Sequence, residues 1–231
     1  MIKDKVTCFL PCRKGSERVP KKNIKPFADY PYGLIEIKLN QLIACSSIDE
    51  IVLSTNDDEI LYYAESLSSP KVKLHKRIED LSSSSTSTDS LVAHAVDLIP
   101  EGHILWTHVT SPFINTQKYE EIISKYFECL NEGYDSLMTT TLLRTFLWQN
   151  NKPLNYDRNI EKWPRTQTLV PIHEVNSGVF LASTTIYKEQ EDRIGEMPYL
   201  FGMDKLRSHD IDWSEDFFIA EALVEKGLIS L

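Results

Sequence analysis

EIVLSTNDDEILYYAESL, residues 50–67, reads as one strand followed at once by one helix. EIVLSTN carries the apolar run Ile51 to Leu53, and DDEILYYAESL opens on acids, which suit the positive end of a helix dipole. The same couplet recurs on both sides. Upstream, Val6 to Leu10 is a short apolar run closed by Pro11, and IEIKLNQLIACSS (35–47) sets Ile35, Leu39, Leu42 and Ile43 at helical spacing. Downstream, KVKLHK (71–76) predicts a third strand, and Thr88 or Asp89 can cap a helix carrying Leu91, Val92, Ala95 and Val96. HILWTHVT (103–110) predicts a fourth strand, and DSLMTTTLL (135–143) a fifth. Between them NTQKYEEIISKYFECLNEG (115–133) predicts a helix with Asn115 or Thr116 as cap and Gly133 as stop. Strands separated by helices of this length imply βαβ units, a mostly parallel sheet and helices on both faces. Ligands in such sheets bind outside the carboxyl ends of the strands.

The rhythm breaks at 144–175. FLWQNNKPLNY (146–156) has an Asn-Asn-Lys-Pro turn between two short runs, which predicts a hairpin, and Pro164 and Pro171 follow without helical period. This stretch is expected to be an excursion from one domain spanning 1–231, and a candidate dimerisation arm. GVFLAS (178–183) returns to the sheet, and SEDFFIAEALVEKG (214–227) is the closing helix. Four serines at 82–85 read as a loop before a helix.

Composition narrows the function. The chain has 231 residues, is 42% hydrophobic and carries a formal charge of −9, an ordinary soluble balance that disfavours nucleic acid or an anionic membrane as main partner. No run of eighteen apolar residues predicts a membrane span, and MIKDKVTCFLPC is too short in its apolar part for a secretory signal, so the cytoplasm is expected. Cys8, Cys12, Cys45 and Cys129 lack zinc-site spacing and read as reduced, mostly buried thiols.

Against that acidic background, LPCRKGSERVPKKNIKPF (10–27) holds six basic residues and one acid, and it leaves the carboxyl end of the first strand. Gly15 and Ser16 among Arg13, Lys14, Arg18, Lys21 and Lys22 can offer backbone N–H groups, a hydroxyl and cations together, a combination that cradles phosphates. The spacing is neither GxxxxGK[ST] nor GxGxxG. A solvated basic loop is the competing reading, and the order of residues decides between them.

That order, R-x-G-S-x-R-x-P-x-K-N from Arg13 to Asn23, resembles the nucleotide-binding signature of the cytidylyltransferases that activate sialic and related nonulosonic acids as CMP-sugars. Further segments resemble the same family in order: Ser54-Thr55-Asn56-Asp57, Lys76-Arg77 with Leu81, Thr110-Ser111-Pro112, Asn176-Ser177-Gly178 and Asp210-Ile211-Asp212. The resemblance spans about residues 6–222. It implies a Rossmann-like three-layer α/β/α nucleotidyltransferase fold with a small dimerisation excursion, CTP and a small acidic sugar as substrates, and a homodimer. It further implies that Arg13 and Lys22 meet the triphosphate with Ser16 and the Gly15 backbone, and that Asn23 contacts the base or orders the loop. Arg77 and Thr88 sit where the family reads cytosine and ribose. Arg18 and Lys21 are either further phosphate contacts or rim charges.

Asp210 and Asp212 stand two apart, and on an extended segment such residues face one side, so both carboxylates can meet one Mg²⁺, or Mn²⁺, together with phosphate oxygens and water. Arg13, Lys22 and Asp212 are thus the expected catalytic residues. His108, Thr110, Ser111, Arg165 and Asn176 fall on the acceptor side. The pattern departs there: His108 stands where the family usually has Gln, and His173-Glu174 where sialic acid enzymes usually have Arg, leaving Arg165 to hold the substrate carboxylate. Trp106, Trp148 and Trp163 read as packing residues. The competing readings are an enzyme for another acid, an eight-carbon 2-keto-3-deoxy sugar or a phosphonate, and a nucleotide-binding protein without turnover. With Arg13, Lys22, Asp210 and Asp212 all present, the residues favour catalysis.

Overall fold

The computed structural model describes residues 5–83 and 85–231; residues 1–4 and Ser84 of the serine run lie outside the described residues. Strands β1 (Val6–Cys12), β2 (Glu50–Thr55), β3 (Val72–Lys76) and β4 (His103–Thr107) run parallel, as the alternation predicts. They alternate with helices α1 (Gly33–Ala44), α2 (Asp58–Ser66) and α3 (Thr88–Leu98), followed by α4 (Thr116–Leu130). The second half contributes β5 (Ser136–Leu143), the hairpin β6 (Trp148–Gln149) and β7 (Lys152–Pro153), β8 (Ile172–Ser183), α5 (Thr184–Glu189), β9 (Pro198–Met203) and α6 (Ser214–Glu225). The seven-stranded sheet has the order β3-β2-β1-β4-β8-β5-β9.

The period-two rule sorts the core into two layers. In β1, Val6, Cys8, Leu10 and Cys12 face a layer built with α1, α2, α4 and α6, whereas Phe9 faces a smaller one with α3 and α5. In β2, Ile51 and Leu53 take the first face and Val52 the second. Helices therefore cover both faces, and all four cysteines are buried and unpaired.

Four expectations are corrected. Within a sheet that is mostly parallel, as expected, β8 runs antiparallel to both β4 and β5. That strand begins at Ile172 and not at Gly178: its first half, IHEVNS, leaves the core and so lacks the apolar signal of GVFLA. Asn176-Ser177-Gly178 is consequently an irregularity inside β8, where the pairing shifts between Met138 and Thr140 and Ser177 adopts φ 55°. The fourth strand stops at Thr107, leaving residues 108–110 as a turn, and Ser87, accepting from the Ser90 amide at 3.1 Å, caps α3 in place of Thr88 or Asp89.

The excursion does form a hairpin, with Asn150 and Asn151 at φ 50° and 63° in its turn. Asn155 organises it from inside, accepting from the Leu147 amide at 3.2 Å and donating to the carbonyls of Thr145 and Val170 at 2.8 and 3.1 Å. Near the basic loop, Gly33 has φ 62°, and a Cβ there would lie 1.9 Å from the Lys25 carbonyl oxygen, so only glycine lets the loop return so closely to the start of α1.

Candidate active site

The basic loop lies at the carboxyl ends of the parallel strands and lines a cleft of about 520 Å³. It is fastened at two points. Asn23 Nδ2 donates to the Arg13 carbonyl at 3.2 Å, and the Lys14 amide donates to Asn56 Oδ1 at 2.8 Å, which ties the loop to the end of β2. Gly15 takes φ 80°, a conformation that exposes its amide without a side-chain penalty. Arg13, Ser16, Lys22 and Asn23 all line the cleft. Neighbouring Asp57 serves locally, capping α2 by accepting from the Glu59 amide at 3.1 Å.

Lys22 is 8% exposed, donates from Nζ to the Ile211 carbonyl at 2.6 Å and sits 3.6 Å from Asp212. Burial pulls its pKa down, and Asp212 and Asp210 oppose that pull. Arg18 lies 3.0 Å from Asp212 with its guanidinium 5.0 Å from the Trp213 ring centre, so it belongs to the cleft. Lys21 instead pairs with Glu59 at 2.8 Å on the exposed rim. Arg77 is 4% exposed in the cleft wall, donating from Nε to Ser82 Oγ at 3.2 Å.

His108 also lines this cleft. The Trp106 indole N–H donates to its Nε2 at 3.1 Å, and burial, reinforced by Arg193 and Lys38, lowers its pKa to about 4. It is a neutral imidazole throughout the physiological range, with Nδ1–H as its donor.

Asp210 and Asp212 line a second hollow of about 420 Å³ with Thr141, Glu174, Asn176, Lys205, Ser208 and His209, and Asp212 ties it to Arg18 and Lys22 of the first cleft. Fully buried Ile211 is pinned on both sides, its amide donating to the Thr110 carbonyl at 2.9 Å and its carbonyl accepting from Lys22. That pinning orients the flanking carboxylates. Asp210 accepts from Ser111 Oγ at 3.5 Å and from Thr110, and burial raises its pKa. Among the described residues no group of three or more His, Cys, Asp or Glu side chains converges as a metal cage. Two carboxylates alone fit a hard divalent ion that takes its remaining ligands from phosphates and water.

Two expected residues fall elsewhere. Thr88 is exposed in the first turn of α3, whose contribution to the cleft is Leu91. Arg165 is exposed on the excursion and lines neither hollow, because the segment bearing it packs locally beside Leu169 and away from the sheet.

Sequence reasoning missed Lys38. Its signal was a lysine on the apolar face of IEIKLNQL, one turn from Ile35 and Leu42. The side chain is fully buried and makes no ion pair among the described residues; Nζ meets the Ser111 and Ile114 carbonyls at 2.8 and 3.4 Å and Tyr119 Oη at 2.7 Å. It thereby holds the Thr110-Ser111-Pro112 turn beneath Asp210. Burial lowers its pKa to about 7. An unfolded lysine holds its proton to about pH 10.4, so between about 7 and 10 the unfolded chain binds the extra proton and stability must rise with pH. Below about 7 both states are protonated and this slope vanishes. We expect the wild type, relative to Lys38→Met, to gain on the order of 1 kcal/mol per pH unit across pH 7.5–10 in urea unfolding. Equal slopes in the two proteins would show that Lys38 keeps its charge in the fold.

With the geometry in place, comparison with known proteins is decisive. The family model described as Cytidylyltransferase matches residues 7–226. The chain belongs to the cytidylyltransferase family. It is 25% identical over 226 residues to pseudaminic acid cytidylyltransferase of Campylobacter jejuni, covering 94% of each chain. It is 23% identical over 239 residues to N-acylneuraminate cytidylyltransferase of Escherichia coli, covering 97% of this chain and 53% of that one. Among solved structures, CMP:2-keto-3-deoxy-manno-octonic acid synthetase complexed with CTP is similar with a TM-score of 0.67 at 12% identity, covering 96% and 99% of the two chains. A 4-diphosphocytidyl-2C-methyl-D-erythritol synthase gives 0.60 at 12% identity, covering 96% of this chain. As a cytidylyltransferase the protein is a CTP-dependent enzyme with the nucleotide-sugar transferase type of α/β fold. No described helix is long and apolar enough to cross a membrane.

Proposed function

We propose that this cytidylyltransferase couples CTP to a sialic-acid-like 2-keto-3-deoxy sugar acid, yielding a CMP-sugar and pyrophosphate. The observation that carries the reading is a cation-lined cleft joined to a second, mixed polar hollow through Asp212, which lines the second and pairs with Arg18 and Lys22 of the first. In this reading the triphosphate lies in the first, met by Arg13, Lys22, Ser16 and the Gly15 backbone, and Asn23 keeps the loop in shape. Arg77 and the neutral His108 offer fixed donors deeper in the cleft.

The acceptor enters from the second hollow. Its anomeric hydroxyl oxygen bonds to the α-phosphorus and gives up its proton to solvent, while the bond to the bridging oxygen of the β-phosphate breaks and pyrophosphate leaves. Alignment and charge neutralisation carry such a transfer, so the protein's work is to hold the two substrates in line. Asp210 and Asp212 would hold Mg²⁺ or Mn²⁺, which when bound neutralises phosphate charge and polarises the α-phosphate.

We further propose that the chain is a cytoplasmic homodimer. Trp148, Leu154, Ile160, Trp163 and Val170 are 44–86% exposed on the excursion, an apolar surface that a second copy would cover. Light scattering of the wild type reads that state directly.

The test of the reaction is pyrophosphate release with Mg²⁺, crossing the four nucleoside triphosphates with nine-carbon and eight-carbon 2-keto sugar acids and a phosphonate. Release with CTP and a nine-carbon acid supports the reading. Release only with an eight-carbon acid or a phosphonate replaces the acceptor, and no release despite CTP binding removes the sugar-acid assignment.

A further inference from the structure

Trp106 fills the smaller core layer and is 1% exposed. Phe9 stands edge-on to it with ring centres 4.8 Å apart, and Phe180 pairs with it across β4 and β8. The Arg193 guanidinium lies 5.0 Å from its ring centre and 3.8 Å from that of Phe180. These contacts fix the plane of the indole, but none of them takes its N–H. That N–H donates to His108 Nε2 at 3.1 Å, just past the end of β4. Trp106 is therefore more than the packing residue its sequence suggests.

An indole N–H only donates, so Nε2 of His108 must present a lone pair and carry no proton. A neutral imidazole has one N–H, which then sits on Nδ1. A second proton, at Nε2, would set donor against donor. The charged surroundings act the same way: Arg193 from the loop before β9, Lys38 from α1 and Lys22 from the basic loop disfavour an imidazolium, with Asp212 opposing them. His108 lines the cleft, and its Nδ1 meets no partner among the described residues. The cleft thus offers an N–H whose proton is placed before any ligand arrives. A lone pair on a phosphate, carboxylate, carbonyl or hydroxyl oxygen can accept it, and a ligand amide N–H cannot.

Resting on the reading that this cleft holds substrate, we infer that Trp106 is a positioning residue for recognition: through His108 it keeps a single donor, Nδ1–H, ready for an oxygen of the bound CTP or sugar acid. An imidazole without that anchor divides its population between two tautomers. Only the fraction with the proton on Nδ1 could then donate, and binding would weaken by that fraction.

The first test is the ¹⁵N spectrum of the histidine-labelled protein, with His108 assigned by its loss in His108→Ala. We expect Nδ1 protonated and Nε2 bare in the wild type. In Trp106→Phe, which keeps an aromatic ring in the core and removes the N–H, the two nitrogens should move toward an averaged position. A wild-type proton on Nε2, or an unchanged pattern in Trp106→Phe, overturns the inference. Titration without divalent metal then names the ligand. CTP and a nine-carbon 2-keto sugar acid are added separately, and the Nδ1–H signal should shift with one of them; a shift with neither overturns the ligand role. The wild-type spectrum and titration decide the matter alone if Trp106→Phe does not fold. None of these readings needs turnover, so they stand or fall apart from the reaction itself. In pyrophosphate release, Trp106→Phe and His108→Ala should each raise the KM of that same substrate about tenfold, the worth of one neutral hydrogen bond. The double variant should lose no more than His108→Ala alone. Losses that multiply would mean that Trp106 acts by packing and not through His108, and would overturn the assignment.

Discussion

Lys22→Met is expected to lower kcat/KM for CTP about a thousandfold, close to 4 kcal/mol of transition-state stabilisation. The methionine keeps the length of the stem and removes only the charge and its donors. Lys22 is the least exposed cation of the loop, and the Ile211 carbonyl at 2.6 Å fixes its ammonium against the Asp210–Asp212 segment. A charge fixed in a partly dry site is worth far more to a developing phosphate anion than a solvated one. Folding should survive, because Asp212 keeps Arg18 at 3.0 Å when Lys22 is gone. Lys21→Met provides the contrast: its partner Glu59 lies outside the cleft, and activity should stay within about twofold. Initial rates of pyrophosphate release over a CTP titration check both. A loss below tenfold for Lys22→Met would reduce Lys22 to a strut for the Asp210–Asp212 segment.

The second large effect is expected at Asp212. Asp212→Asn should cut kcat by about a thousandfold or more while CTP binding measured without divalent metal stays within a few-fold. The carboxylate now balances Arg18 and Lys22, and it borders the second hollow, the proposed entry of the acceptor. The amide keeps the shape but cannot neutralise two cations and binds a hard divalent ion far more weakly. Metal dependence separates the two roles. A metal ligand predicts that the Mg²⁺ concentration for half-maximal rate rises steeply in the variant, whereas a mere anchor for Arg18 predicts an unchanged midpoint. Arg18→Ala run alongside should leave that midpoint unchanged or lower, since it frees Asp212. Activity of Asp212→Asn above about a tenth of wild type would remove the carboxylate from catalysis.

The two hollows were legible in the sequence to different degrees. Arg13, Ser16, Lys22 and Asn23 lie within eleven consecutive positions, so a local turn assembles them wherever the first strand ends, and the structure keeps them on one cleft. Asp210 and Asp212 were legible because an extended backbone projects alternate residues one way. The acceptor side was not. Asn176 read as a substrate ligand, yet its amide is engaged by Thr139, Thr141 and Ser208, none of them near it in sequence. Arg165 read as the carboxylate partner, yet its segment folds on itself. Glu174 looked like a defect in a pattern until register with Thr141 placed it in the hollow.

By itself the sequence determined the strand–helix alternation, the hairpin at Asn150-Asn151, the basic loop after the first strand and the paired acids. Each depends on a period or a turn spanning a few residues, and such signals survive in one dimension. Only the tertiary structure decided that β8 enters the sheet antiparallel between β4 and β5, and that Lys22 reaches Ile211 across 189 positions. It alone decided that Lys38 is buried under the Thr110-Ser111-Pro112 turn, and that Glu174 and Lys205 line the second hollow. The reason is physical. Whether a polar side chain is satisfied or free depends on which distant groups packing brings to it, and hydrophobic periodicity places helices and strands without saying which polar atoms will meet between them.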